Sequence, residues 1–143
     1  MTNAFALDTS CVIPLLLSWH EFHLRTKQTF DARRTKRERL VIPVHVLLES
    51  YSVLTRMPGR VTPEIARRML EGSFFQTADI AGLAEGTAWS SIRDLSPRDM
   101  GGSNIYDAVI ARAALEAGAS VLLTWNLKHF IRVAPSELEI RQP

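Results

Sequence analysis

Three carboxylates stand where a folded chain could bring them together. Asp8 ends the apolar run Ala4-Phe5-Ala6-Leu7, Glu49 lies beside the apolar stripe of a helical stretch, and Asp107 falls in the first turn of another. A fourth polar signal, Thr124-Trp125-Asn126, follows the apolar run Val121-Leu122-Leu123. Carboxylates about 5 Å apart repel by roughly 3 kcal/mol per pair at an effective dielectric near 20. Such a set takes up protons or binds a cation. Oxygen-only ligands favour Mg²⁺ or Mn²⁺ over zinc, whose preferred nitrogen and sulfur donors this set lacks. Each acid also has a structural role open to it. Asp8 can accept amides at the start of the next helix, Asp107 can complement a helix dipole, and Glu49 can be a solvated helix residue. Spacing and period alone leave both readings open.

For the acids to converge, strands and helices must alternate. Ser10 is the expected N-cap of a helix over 11–18, with Pro14 in its first turn. Residues 21–38 contain no Gly or Pro and read as a helix with a thin apolar face, leading into a buried strand at Leu40-Val41-Ile42. Over 44–57, Val44, Leu47, Leu48, Tyr51 and Leu54 recur at helical steps and predict a core face, stopped by Pro58-Gly59. Thr62 and Pro63 open a helix as N-cap and first residue, which runs through Leu70 and ends near Gly72. A strand is expected over 74–80, then a helix over 83–95 carrying Leu83, Trp89 and Ile92 inward, then a loop over 96–102. Ser103 is the expected cap of a helix over 104–117, striped by Ile105, Val109, Ile110, Ala113 and Ala117 and closed by Gly118. A buried strand over 120–124, a helical turn over 127–130 and an edge strand over 138–140 complete the chain. This alternation predicts an α/β fold with a mainly parallel sheet. Ligands of such sheets bind outside the carboxyl ends of the strands, where Asp8 and Asn126 would point.

Size and composition add boundaries. At 143 residues, 46% hydrophobic and 22% charged, the chain has the size of one domain spanning 1–143 with a real core. The single cysteine, Cys11, excludes an internal disulfide and a thiolate zinc site. No apolar run approaches the roughly 20 residues of a membrane span, and Asp8 interrupts any signal-like segment, so a cytoplasmic protein without a membrane role is expected. Basic residues crowd one segment: Arg25, Lys27, Arg33, Arg34, Lys36, Arg37 and Arg39 share it with only Asp31 and Glu38. That density reads either as a solvated helix face or as a surface for phosphate. His20 and His23 have no third ligand nearby and read as surface residues. Trp125 and His129 flank Asn126, where an indole could stack on a base and an imidazole could touch phosphate.

Four local words, in order along the chain, carry a resemblance. They are Leu7-Asp8-Thr9-Ser10; Leu48-Glu49-Ser50; Gly101-Gly102-Ser103-Asn104-Ile105-Tyr106-Asp107-Ala108-Val109-Ile110-Ala111; and Leu123-Thr124-Trp125-Asn126-Leu127-Lys128-His129-Phe130. The set resembles the PIN domain over essentially the whole chain, and its length and third word look most like the VapC-type ribonuclease toxins of bacterial toxin–antitoxin pairs.

The resemblance implies a PIN-like three-layer α/β/α fold around a sheet of four or five mainly parallel strands. It implies that Asp8, Glu49 and Asp107 occupy the acidic metal-binding positions, with Thr9 or Ser10 and Thr124 as polar neighbours. Asn126 matches a fourth catalytic position that is Asp in many members and Asn in others, so one Mg²⁺ ion, with Mn²⁺ as a substitute, is expected rather than two. The implied activity is endonucleolytic hydrolysis of RNA by a metal-activated water. The implied partners are RNA, a cognate VapB-type antitoxin and a second copy of the chain. Arg33, Arg34 and Arg37, with Trp125 and His129, become the expected RNA contacts. A receiver-type phosphoacceptor domain would need an acid adjoining Asp8, and the next one is Glu21. An RNA-binding or RNA-processing PIN-like domain without a toxin role, or with lost catalysis, stays compatible with Asn126.

Overall fold

The computed structural model describes residues 3–57 and 61–143. Among them five strands, β1 (Ala4–Leu7), β2 (Arg39–Pro43), β3 (Ala78–Ala81), β4 (Val121–Leu123) and β5 (Glu139–Arg141), form one sheet in the order β3-β2-β1-β4-β5. Every neighbouring pair is parallel. β1 and β4 are apolar and buried at every position, as strands covered on both faces must be.

The covering helices are α1 (Thr9–Leu16), α2 (His23–Thr35), α3 (Val44–Arg56), α4 (Pro63–Phe74), α5 (Glu85–Leu95), α6 (Asn104–Glu116) and α7 (Leu127–Ile131). α1 packs on α2 and α3, and α3 on α4; separately, α5 packs on α6 and α6 on α7. Right-handed crossovers between parallel strands put the first group on one face of the sheet and the second on the other. The core lies between these layers and includes Phe5, Leu7, Ile42, Phe74, Leu122 and Phe130. Among the described residues no helix is long and apolar enough to cross a membrane.

Local signals held where they rest on backbone chemistry. The Thr62 hydroxyl accepts from the Ile65 amide at 3.2 Å with Pro63 opening α4, and Gly118 closes α6 at a φ of +95°. The Pro58-Gly59 stop lies outside the described residues.

Other expectations are corrected. α1 begins at Thr9 with Asp8 as its backbone N-cap, so Pro14 falls in its second turn, and the Ser10 hydroxyl turns to Asp8 instead of capping. Ser103 precedes α6 without a side-chain cap bond. Phe74 is the buried last residue of α4 and not the start of a strand, because its turn continues the Ala66, Leu70 helical stripe. The buried face of α3 is Val46, Ser50 and Leu54, while Leu48 and Tyr51 are 64% and 41% exposed. α5 likewise buries Thr87, Ser91 and Leu95 and exposes Leu83, Trp89 and Ile92 near it. Small side chains let these helices approach their neighbours closely, and the large apolar ones are left on an outer surface.

Candidate active site

β1 and β4 lie side by side with Leu7 opposite Leu123. From β1 the chain proceeds to β2 and β3 on one side, and from β4 to β5 on the other. A crevice opens beyond the strand ends at such a reversal. The next residues, Asp8 and Thr124, are held in place by backbone bonds: Asp8 N donates to Leu123 O at 3.2 Å and Thr124 N to Arg141 O at 2.9 Å. Both side chains are buried.

The Asp8 carboxylate is oriented from both sides. Ser10 Oγ donates to Oδ1 at 2.7 Å, and Thr124 Oγ1 donates to Oδ2 at 3.0 Å. Each hydroxyl in turn accepts an amide, Ser10 from Trp125 N at 2.8 Å and Thr124 from Asn126 N at 2.9 Å. The accepted amides leave each hydroxyl proton free to serve the carboxylate, and each carboxylate oxygen keeps further lone-pair capacity.

Two further acids come from α3 and α6, which both contribute to this crevice. Glu49, in the second turn of α3, accepts a hydrogen bond from Thr9 Oγ1. His45, one turn earlier, places Nε2 3.7 Å from Glu49 Oε2 and stacks on Tyr106 with ring centroids 4.9 Å apart. Asp107, in the first turn of α6, is half-buried in the same crevice of about 590 Å³, with Asn126 and His129 at its wall.

Burial pushes the Asp8 carboxyl up to about 7; the Ser10 and Thr124 hydrogen bonds pull against it, and the charges of Glu49 and Asp107 push further in the same direction. Burial also raises Asp107, against His129, Arg132 and His45 and with the help of Glu49. The three acids are thus within electrostatic reach of one another. Cys11, behind Asp8, is raised by burial and by Asp8 itself, which leaves a protonated and inert thiol.

Among the described residues no three Asp, Glu, His or Cys side chains are already grouped as a metal cage. The chemistry nevertheless fits a hard divalent cation: a hydrogen-bonded, buried carboxylate and two more exposed carboxylates lining the same crevice. The donors are oxygen, as Mg²⁺ and Mn²⁺ prefer.

Asp8, Thr9, Ser10, Glu49, Asp107, Trp125, Asn126 and His129 line the crevice together, with Thr124 buried beneath them. Arg33, Arg34 and Arg37 do not reach it. Arg33 lies 5.7 Å from the Phe5 ring centroid and pairs with Glu38 at 3.0 Å, Arg34 donates to Glu38 O at 2.8 Å, and Arg37 lies beyond α2 at a φ of 61°. They occupy the end of α2 that leads into the start of β2, opposite the strand ends that carry Asp8. Two further crevice residues, His20, which was expected simply on the surface, and Phe22, are brought in by the short connection between α1 and α2. Phe22 stacks on Trp125 with centroids 4.4 Å apart. His45 did carry a sequence signal, its four-residue spacing from Glu49 on a helix.

The sequence profile of the PIN domain matches residues 5–134. The chain belongs to the PIN domain family. Among relatives of this PIN domain, ribonuclease VapC27 of Mycobacterium tuberculosis is 34% identical over 123 residues, covering 85% of this chain and 84% of that protein. The crystal structure of VapC20 of Mycobacterium tuberculosis, described as a sarcin–ricin loop cleaving toxin, superposes with a TM-score of 0.72 at 14% identity, over 92% of this chain and 97% of that one. VapBC2 of Rickettsia felis, solved bound to a DNA fragment from its promoter, gives 0.70 at 16% identity over 98% and 99%. The three-layer PIN fold expected from the four words is the fold observed.

Proposed function

We propose that this PIN domain is a divalent-metal-dependent endoribonuclease and the toxin of a VapBC-type pair, acting in the cytoplasm as a single domain over 1–143. The observation that carries the reading is Asp8: a buried carboxylate at the switch point of the sheet, raised in pKa by burial and by Glu49 and Asp107 across the same crevice. A family of relatives named ribonuclease VapC supplies the reaction class.

Asp8, Asp107 and Glu49 are the residues that would hold Mg²⁺, with Mn²⁺ as a substitute. Bound there, the cation supplies positive charge to the phosphoryl oxygens and acidifies water. The chain's own residues do the rest. Ser10 and Thr124 fix the plane of the Asp8 carboxylate, so its oxygens do not reorganise as charge develops. Glu49, steered by the Thr9 hydroxyl, would reach the cation directly or through water and help to position the attacking water. The Asn126 side chain at the rim adds an amide and no charge, which favours a single ion. Trp125 and His129 bound the opening through which RNA would enter.

The exposed apolar surface supports the partner part of the proposal. Leu48, Leu83, Ile92 and Tyr106 line an apolar groove of about 300 Å³ that shares Ile110 with the crevice. A second copy of the chain and a VapB-type antitoxin segment are the partners proposed for this side, close enough to the acids for an antitoxin to obstruct them.

Cleavage of an RNA panel by the purified protein tests the reading. Cleavage is expected with Mg²⁺ or Mn²⁺, none with EDTA, and none by Asp107→Asn. Cleavage persisting in EDTA, or in that variant, refutes it. Tight RNA binding without cleavage by the wild type selects the RNA-binding alternative.

A further inference from the structure

We infer that the RNA strand leaving the crevice passes over the Phe22–Trp125 stack and then along the outer face of α2, where Arg25, Lys36 and Arg141 meet its phosphates. The inference rests on the ribonuclease reading and adds the path of the substrate.

The path is continuous. Phe22 lines the crevice and directly precedes α2, and Arg25 lines the next groove one turn later. From there Arg25, Gln28, Ala32 and Lys36 follow one another at steps of three and four residues, which places them on one face of the helix. Together with Arg141 and Gln142 at the end of β5 they bound a groove of about 410 Å³. α2 has 13 residues, so this face runs for about 20 Å at 1.5 Å per residue, long enough for a few nucleotides.

Uncompensated charge sets this groove apart from the other basic surfaces. Arg67 and Arg68 on α4 are paired with Glu64 and Glu71, and within the groove itself Arg33 and Glu38 pair with each other and cancel. Lys36, by contrast, makes no ion pair among the described residues. Arg25 spends only its Nε proton, on the Pro143 main-chain oxygen at 3.1 Å, and keeps its remaining guanidinium donors. Arg141 approaches Glu139 no closer than 3.7 Å, with both side chains more than half exposed. Ala32 and Pro143 are the apolar residues of the lining, so the groove suits a charged backbone better than an apolar protein segment.

The stack specifies the form of RNA. Trp125 is anchored by its Nε1 donating to Thr26 Oγ1 at 3.0 Å, and Phe22 lies on it with 39% of its surface exposed. A fixed aromatic face at the mouth of a basic groove takes unstacked bases whatever their sequence, which selects single-stranded RNA.

Binding of a fluorescein-labelled single-stranded RNA of mixed sequence, measured against salt in the cleavage-silent Asp107→Asn protein, tests this path. The triple variant Arg25→Gln, Lys36→Gln, Arg141→Gln should flatten the slope of log K against log salt by about 2, from about 0.7 per phosphate contact. Phe22→Ala should bind about ten-fold more weakly at one salt with an unchanged slope. Arg67→Gln with Arg68→Gln should change neither. Thermal melting of each variant confirms that it is folded. A folded triple variant with the parental slope, or Phe22→Ala with the parental affinity, overturns the path; if the chain with Asp107 intact still cleaves RNA, the ribonuclease reading survives that result. Neither binding nor cleavage by any form removes both.

Discussion

Asp8 makes the metal-free protein more stable in mild acid than in mild base. An acid whose folded pKa is raised binds its proton more tightly in the native state than in the unfolded chain. Between the two pKa values the native state therefore carries the extra proton, and stability falls as pH rises through that window. For Asp8 the window runs from 3.8 to about 7. At 1.4 kcal/mol per pH unit the loss is about 4 kcal/mol, or roughly 10 °C in melting temperature for a chain of this length. Asp107, raised in the same direction, adds to the fall. Asp8→Asn removes the buried charge but cannot accept from both hydroxyls, at a cost of about 1 kcal/mol. It should end about 3 kcal/mol more stable than the wild type at pH 8 in EDTA, with a much flatter profile from pH 5 to 8. Saturating Mg²⁺, at about 100 times its Kd, should restore about 2.7 kcal/mol to the wild type at pH 8 and much less at pH 5, where the Asp8 proton must first leave. Urea unfolding across that pH range, with EDTA or Mg²⁺, measures every quantity. Wild-type stability that stays flat or climbs from pH 5 to 8, in parallel with Asp8→Asn, refutes the account of the site.

The hydroxyl beneath the site gives a second test. Thr124→Val removes the donor to Asp8 and the acceptor of the Asn126 amide, so it should cost about 1–3 kcal/mol at pH 8 and move the Asp8 titration upward, whereas Thr124→Ser should do neither; urea unfolding and carboxyl-edited NMR titration check this. Asn126→Asp should lower metal-free stability through a repulsion on the order of 1–3 kcal/mol and admit a second Mn²⁺ in calorimetric titration, an unchanged stoichiometry counting against a fourth site position. Leu48→Glu should weaken self-association in sedimentation velocity while leaving the melting temperature within about 2 °C, because 64% of the residue is exposed; a large loss of stability would instead assign Leu48 to the core.

What the sequence made legible follows the range of the physics involved. Continuous apolar runs mark β1 and β4 because burial on both faces requires them, and Thr62, Pro63 and Gly118 mark helix ends through purely local geometry. The acids were legible as words, and the words fixed their order, but not how the carboxylates meet. Glu49 in particular owes its place to the packing of α3 beside α1. The errors on α3 and α5 have one cause. Helical periodicity reports that a face is apolar, and says nothing about whether the sheet or another protein covers it. Leu48, Tyr51, Trp89 and Ile92 satisfy the period and remain exposed, while Ser50, Thr87 and Ser91, polar in sequence, take the buried positions.

The same distinction between local and tertiary causes explains how one short stretch carries the site. Asp8 is the first residue past a buried strand, and the register Leu7 opposite Leu123 places Thr124 beside it, so the sheet itself forms the second hydrogen bond to the carboxylate. Ser10 supplies the first from within the opening turn of α1, and is free to do so because Asp8, through its backbone, begins that helix. A shift of one residue in the β1–β4 pairing would turn Thr124 to the other face of the sheet and leave Asp8 with a single donor. The raised proton affinity of Asp8 is therefore the product of a deep position that desolvates it and two hydroxyls that only partly offset that burial. The remaining imbalance is what a bound cation would neutralise, which ties the stability of the metal-free fold and the capacity to bind metal to the same carboxylate.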